Sequence, residues 1–335
     1  MFILDFDATC AAESFAAEYY IAENLKPSEQ VLYLWTTPPT VMIGKYQNAY
    51  AEINLAFTER NGIALARRMS GGGAIYTDRG CIQYSMIKKG AGEIDFYPFT
   101  EPVAGFLRSL GLDAAVSGRN DICVGGKKIS GSAQYMTGGY TVHHGSLLFD
   151  CDKDALEGSL NFDTYKIESK GIKSNRERVT NIRELLSDEM RDRFTDAISF
   201  INALIPELSC NADILRFTDE QKKEIFIIAS KMFLPHETVF GSSRKFNYTK
   251  SLRTSGGKIT LSLSVENGII NDAELSGNFF ASENFAKISR MFIGCLFDIG
   301  ENSDIIIRIK NICSENMLYG VTESDLINLF NIKQV

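Results

Sequence analysis

Between residues 63 and 149 the chain sets short extended runs one after another, with little more than a turn between most of them. Residues 63–69, 74–76 and 82–87 read as strands before a single helical stretch at 99–110 that stops at Gly111; 122–124, 127–133 and 142–149 read as strands after it. Parallel neighbours need a long crossover, and most of these junctions have no room for one. The pattern therefore predicts a mostly antiparallel or mixed sheet and excludes a regular doubly wound fold. Gly125-Gly126 falls between two of the runs, and both glycines can take the positive φ that a two-residue hairpin demands.

Around this block the periodicity is mixed. Residues 9–25 repeat Ala11, Phe15, Tyr19 and Ala22 at helical spacing. Residues 31–35 and 40–44 are strand-like on either side of Pro38-Pro39, and 52–60 forms a helix that stops at Asn61-Gly62. Helices are predicted at 154–160 and 194–204. A polar joint, Gly241-Ser242-Ser243-Arg244-Lys245, then separates a small α+β unit. In that unit 258–265 alternates apolar and polar residues, Glu266-Asn267-Gly268 turns, 269–275 pairs back, and helices follow at 282–292 and 323–330. The expected division is a catalytic domain over 1–245 and an accessory domain over 246–335.

Composition narrows the function classes. A net charge of −7 argues against a general nucleic-acid binder, although Arg67-Arg68, Lys127-Lys128 and the stretch from Lys170 to Arg178 concentrate positive charge locally. That suits a small anionic ligand. No apolar run approaches the roughly 20 residues of a membrane span, and MFILDFDATCAAESF has no basic n-region. Seven cysteines scattered without a CxxC pair suggest reduced thiols and a cytoplasmic setting, and argue against a structural zinc or iron–sulfur site.

Four clusters can carry chemistry. In Arg67-Arg68-Met69-Ser70-Gly71-Gly72-Gly73-Ala74, three glycines after a strand can turn backbone N–H groups toward an anion whose charge the arginines offset; the plain alternative is a flexible turn. In Gly118-Arg119-Asn120-Asp121, Asp121 can hold Mg²⁺ and Asn120 can orient a ligand or brace the loop, or both can simply make an Asx turn. In Lys127-Lys128-Ile129-Ser130-Gly131-Ser132-Ala133, strand alternation sends the two lysines to opposite faces and puts Ser130 and Ser132 with Lys128. There a lysine can neutralise charge developing on a phosphate, or merely guard an edge. In His143-His144-Gly145 the two rings face opposite ways, so they make a poor metal pair. His144 suits a pocket wall and His143 a packed core. Cys123 and Cys151 flank these clusters, leaving an acyl-enzyme as a minor reading.

In this order the clusters resemble the lipoate–protein ligase A family. The matching stretches are WTTPPTVMIGKYQN (35–48), RRMSGGGAIYTDRG (67–80), GRNDICVGGKKISGSAQY (118–135) and HHGSLLFD (143–150). The likeness continues through SKGIKSNRERVTNI (169–182) and, more weakly, FGSSRKFNY (240–248) and the small C-terminal unit. The resemblance implies a core like that of class II biotin and aminoacyl-tRNA synthetases. It also implies an activity that joins lipoate to ATP as lipoyl-AMP, with Mg²⁺, and passes the acyl group to a lysine of a lipoyl domain. The implied acceptors are E2 subunits of 2-oxoacid dehydrogenases or the glycine-cleavage H protein, and the protein is expected to act as a monomer. By the same resemblance Lys128 is the catalytic lysine. Arg68, Ser70, Gly71, Gly72, Gly73 and His144 surround the lipoyl-adenylate, and Gly73, Ala74, Ile75, Asn120, Asp121 and Lys128 meet the nucleotide, with Asp121 on magnesium. Thr77 and Cys81 depart from the family's His and Asn, and octanoate is a plausible second substrate because an apolar slot discriminates weakly between similar tails. Rival readings are an ATP-independent acyltransferase, a biotin–protein ligase and a non-catalytic carrier-binding module.

Overall fold

The computed structural model describes residues 1–90, 94–118, 120–161, 179–209, 211–241, 246–282, 285–298, 300 and 303–330. Arg119, most of the 169–182 stretch and residues 242–245 of the polar joint lie outside them. By contacts the chain forms two compact units. The first is Met1–Ile43, Ala49–Met69 and Ala74–Val239; the second is Gly44–Asn48, Ser70–Gly73 and Phe240–Val335.

The first unit contains strands β1 (Phe2–Leu4), β2 (Val31–Trp35), β3 (Thr40–Ile43), β4 (Ala64–Arg67), β5 (Ile75–Thr77), β6 (Cys81–Lys89), β7 (Ala114–Ser117), β8 (Asp121–Val124), β9 (Lys127–Thr137), β10 (Tyr140–Leu148) and β11 (Asp213–Leu215). Eight of them make one sheet in the order β11-β1-β2-β6-β10-β9-β8-β7, and β4-β3-β5 make another. In the large sheet only the β11–β1 and β1–β2 pairings are parallel; from β2 to β7 every pair is antiparallel. This is the mixed, mostly antiparallel α+β organisation that the strand spacing predicts. Gly125 and Gly126 turn the β8–β9 hairpin with φ of 57° and 78°, conformations that cost a residue with a side chain far more.

Period-two alternation gives the large sheet two apolar faces. Ile82, Tyr84, Met86, Leu147 and Phe149 pack with Phe106 and Phe200 of helices Tyr97–Ser109 and Ala197–Leu208. On the other face Tyr33, Trp35, Ile87 and Val142 meet helix Ala11–Tyr20, where Phe15 stands edge-on to Trp35 at 5.9 Å. The helix expected over 52–60 is two pieces, Ala49–Glu52 and Leu55–Arg60. Between them Ile53 bridges to Leu160 and Asn54 accepts the Phe57 N–H as a cap. No helix among the described residues is long and apolar enough to cross a membrane.

The second unit is built on an antiparallel meander, β12 (Tyr248–Thr254), β13 (Gly257–Glu266) and β14 (Ile269–Gly277), with a short pair β15 (Phe280–Ala281) and β16 (Leu318–Tyr319). The predicted turn is present, with Asn267 and Gly268 at φ of 52° and 76°. Ile305, Ile309 and Ile312 of helix Asp304–Ser314 and Leu326 and Leu329 of helix Glu323–Phe330 share its core with Ile259, Leu261 and Leu263. Two pieces from far upstream belong here too. Tyr46 stacks on Phe279 at 5.1 Å and 4°, its carbonyl accepting from Gly277, and Ser70 accepts from the Lys45 N–H at 2.8 Å. Gly71 lies so close to the β14–β15 connection that a Cβ there would stand 2.2 Å from the Phe279 carbonyl oxygen.

Candidate active site

Lys128 owes its position to an irregularity. Asp121 pairs with Gly131 and Ile122 with Ser130, but Cys123 pairs with Lys128, so Ile129 is an extra residue in β9. A bulge of this kind re-aims the side chains on either side of it. Simple alternation would put Lys128 with Ser130 and Ser132. Instead Lys128 shares a side with Gly131, its Nζ standing 2.7 Å from where a Gly131 Cβ would be. Ser132 is on the other face, its hydroxyl 3.0 Å from that of Tyr84. Ser130 does border the cleft.

This cleft has a volume of about 120 Å³. Lys128, Gly131 and Ser146 line its sheet side, while Ala74, Ile75 and Tyr76 and the helix-borne Leu156 enclose it. Lys128 Nζ makes a 2.7 Å ion pair with Asp121 Oδ1, both side chains close to 30% exposed. An ion pair so open to water adds little stability; it holds the ammonium in place. Asn120 is a brace, its amide donating to the Ser132 carbonyl at 2.6 Å while its own carbonyl accepts from Ser132 N–H at 2.8 Å. Ala74, Ile75, Lys128 and Asp121 thus come together. Ser70, Gly71, Gly72 and Gly73 belong to the second unit.

His144 lies on the same sheet face as Ser146, two residues along β10, and is buried between Phe15 and Tyr135 at 6.1 and 5.9 Å. Its Nδ1 is 3.1 Å from Glu18 Oε2, and Glu18 Oε1 accepts from Ser85 Oγ at 2.5 Å. Trp35 Nε1 donates to the same Ser85 oxygen at 3.3 Å. A wholly buried carboxylate is tolerated because two donors answer it. In a neutral ring that donates Nδ1–H, Nε2 remains as an acceptor. Sequence reading missed Glu18. Its signal was a lone acid on the apolar stripe of the first helix, in register with Ala11, Phe15 and Ala22.

Arg68 is buried at the end of β4, its guanidinium 3.2 Å from the Met42 carbonyl. Burial, aided by the Arg67 charge, lowers its pKa to about 10, so it stays cationic at neutral pH. Arg67 points away, donating to the carbonyls of Thr238 and Val239. The paired arginines therefore do different things.

His143 is in the core, as the sequence suggests. It stacks on Phe99 at 4.5 Å and 12°, with neither ring nitrogen hydrogen-bonded among the described residues. Burial, with the neighbouring His144 charge, holds its pKa well below 6.5. Below about pH 6.5 the unfolded chain takes up a proton that the native ring refuses, so stability falls by up to about 1.4 kcal/mol per pH unit. Denaturant melts at pH 7.5 and 5.5 are expected to show this loss in the parent and a smaller one in His143→Phe.

The six described cysteines are free thiols. Burial and the neighbouring Cys151 and Asp78 push the Cys81 thiol well up, which disfavours a nucleophilic thiolate. Gly131→Ala tests the cleft more sharply. The new methyl displaces the end of a flexible lysine and not the backbone, so the fold is expected to persist. Turnover is expected to fall roughly tenfold because a small misplacement of a reacting group is costly. Single-turnover kinetics beside a thermal melt would check both.

Residues 10–203 match the lipoyl protein ligase A/B catalytic domain, and 243–330 match the bacterial lipoate protein ligase C-terminus. The chain is 36% identical over 321 residues to lipoate-protein ligase LplJ of Bacillus subtilis, covering 94% of this chain and 95% of that one. In three dimensions it resembles LipL1 of P. falciparum in complex with lipoate, with a TM-score of 0.78 over 98% of each chain at 21% identity. It also resembles a lipoate-protein ligase A bound with ATP, with a TM-score of 0.60 over 72% of this chain and 98% of that one at 27% identity.

Proposed function

The chain belongs to the lipoyl protein ligase A/B family, and from that premise we propose the following division of labour for an ATP-dependent lipoate–protein ligase. The carboxylate of lipoate attacks the α-phosphorus of ATP, a P–O bond forms, and pyrophosphate leaves. The amine of an acceptor lysine then attacks the acyl carbon of the mixed anhydride. AMP leaves, and the amide is complete once the nitrogen loses its proton. Residues 1–245 carry both steps, and 246–335 form the accessory domain.

The observation that carries the assignment is Lys128 itself, an ammonium held by Asp121 over a glycine on the floor of a cleft. Adenylation concentrates negative charge between carboxylate and phosphate, and a fixed cation beside that charge lowers the barrier. Ala74 and Ile75 line the nucleotide side, and Asn120 fixes the loop that presents Asp121. Buried Arg68 adds a second permanent positive charge to this unit. Farther along the same sheet face, His144, set by Glu18, and Trp35 surround the apolar tail of the acid.

ATP brings Mg²⁺ with it. Asp121 fits that ion, being a partly exposed carboxylate of the hard-oxygen kind magnesium takes. The ion would neutralise phosphate charge there. The acceptors are lipoyl domains of 2-oxoacid dehydrogenase E2 subunits or the glycine-cleavage H protein, and the enzyme works as a monomer in the cytoplasm.

Pyrophosphate release with Mg-ATP and either lipoate or octanoate, run with and without a lipoyl domain, tests the reading. Acid-dependent release coupled to acylation of the acceptor lysine, read by mass, is the expected result. Acceptor acylation from an acylated carrier without ATP, and no pyrophosphate from either acid, would overturn it.

A further inference from the structure

We propose that Asp78, Cys81 and Cys151 form a binding site for a thiophilic divalent cation of the zinc type, in the wall behind the cleft. Their carboxylate oxygen and two sulfurs lie within 4.8 Å of one another, and all three residues are buried. Cysteines with no CxxC spacing gave no hint of this. Asp78 and Cys81 flank one turn, and the β6–β10 pairing, with Cys81 opposite Leu148, carries Cys151 back to them.

The backbone at both ends is fixed before any ion arrives. Cys81 N–H donates to the Asp78 carbonyl at 3.1 Å, and Asp150 N–H to the Gly80 carbonyl at 2.8 Å. Gly80 permits that approach, since a Cβ there would stand 2.0 Å from the Asp150 carbonyl oxygen. The Asn181 side chain clasps the Cys151 backbone from both sides, accepting from its N–H at 3.1 Å and donating to its carbonyl at 2.9 Å. Asp78 accepts the N–H groups of Gly80 and Asp152, both at 2.9 Å, one on each oxygen, which fixes the carboxylate and leaves further lone pairs on it.

A tetrahedral zinc with Zn–S of about 2.3 Å and Zn–O of about 2.0–2.2 Å spaces its donors by roughly 3.3–3.8 Å. The three atoms need to contract by at most about 1.0–1.5 Å. On binding, each thiol gives its proton to solvent, two Zn–S bonds and one Zn–O bond form, and no electron moves. Water completes the fourth position. Two thiolates and a carboxylate select a soft, tetrahedral ion over magnesium, whose preference is for six oxygens. Tyr76 and Leu148, which line the cleft, are two and three residues from these ligands, so the ion would clip the wall in place.

Cobalt(II) is the probe, added to the reduced full-length protein in excess Mg²⁺. Binding is expected at one equivalent, with a thiolate-to-cobalt charge-transfer band and the visible absorption of a tetrahedral site, both erased by zinc. Cys81→Ala and Cys151→Ala are expected to lose the band while keeping their circular dichroism, and Asp78→Asn to weaken cobalt at least tenfold. Zinc is expected to raise the melting temperature of the parent and of neither cysteine variant. No charge-transfer band in the parent, or one that survives in either cysteine variant, would overturn the site.

Discussion

Lys128→Ala is expected to slow acid-dependent pyrophosphate release by on the order of 10²–10³-fold, with circular dichroism and melting temperature close to those of the parent. The two halves of that expectation have different grounds. The lysine is close to a third exposed, and its pair with Asp121 faces water, so removing it vacates no core and strands no buried charge. Its value lies in being fixed where charge develops, which matters only as the transition state forms. The loss should therefore fall on kcat more than on the apparent affinity for ATP. Lys128→Arg sharpens the test. It keeps the charge, but the fork of the guanidinium needs more room than the space over Gly131 that the ammonium fills, and it is expected to recover little of the rate. Pre-steady-state measurement of adenylate formation would show both effects. An alanine variant within about threefold of the parent would remove Lys128 from the chemistry.

The features legible in the sequence were those written in local contrast. Residues 31–35 are a strand, β2, because a short apolar run stands between polar and proline-marked ends. Gly125-Gly126 and Asn267-Gly268 are turns because few other pairs accept those dihedrals. Features set by distant partners were not legible. The bulge at Ile129 depends on how β8 pairs with β9, and it alone re-aims Lys128. The β1 and β11 strands are three residues each, too short to show a period, and take shape by pairing with each other and, for β1, with β2. Helix Asp304–Ser314 has the β-branched run Ile305-Ile306-Ile307, which reads locally as strand. Its Ser303 cap and the burial of Ile305, Ile309 and Ile312 at helical spacing decide otherwise. Nor does anything near Tyr46 or Gly71 announce that their packing partner is Phe279, more than two hundred residues away.

The same blindness hid Glu18, whose replacement should have the next largest effect. Glu18→Ala is expected to lower kcat/KM for the acid by roughly ten- to a hundredfold, the consequence of losing hydrogen bonds to a charged acceptor at about 1.5–3 kcal/mol each. The carboxylate is 1% exposed and receives Ser85 at 2.5 Å and His144 at 3.1 Å, so its removal leaves two donors in a dry site without their acceptor. The His144 ring then loses the contact that fixes its tautomer, and Ser85 is left to Trp35. Stability should fall as well, by about 1–3 kcal/mol, and for that reason alanine alone cannot separate packing from positioning. Glu18→Gln can. The amide has nearly the shape of the carboxylate and keeps an acceptor for Ser85, but it turns its N–H toward His144 Nδ1 and so drives the proton to Nε2. The melting temperature is expected to recover in Glu18→Gln while KM for the acid stays raised and KM for ATP is unchanged. If catalysis recovers together with stability, Glu18 is a packing element of the core and His144 needs no particular tautomer.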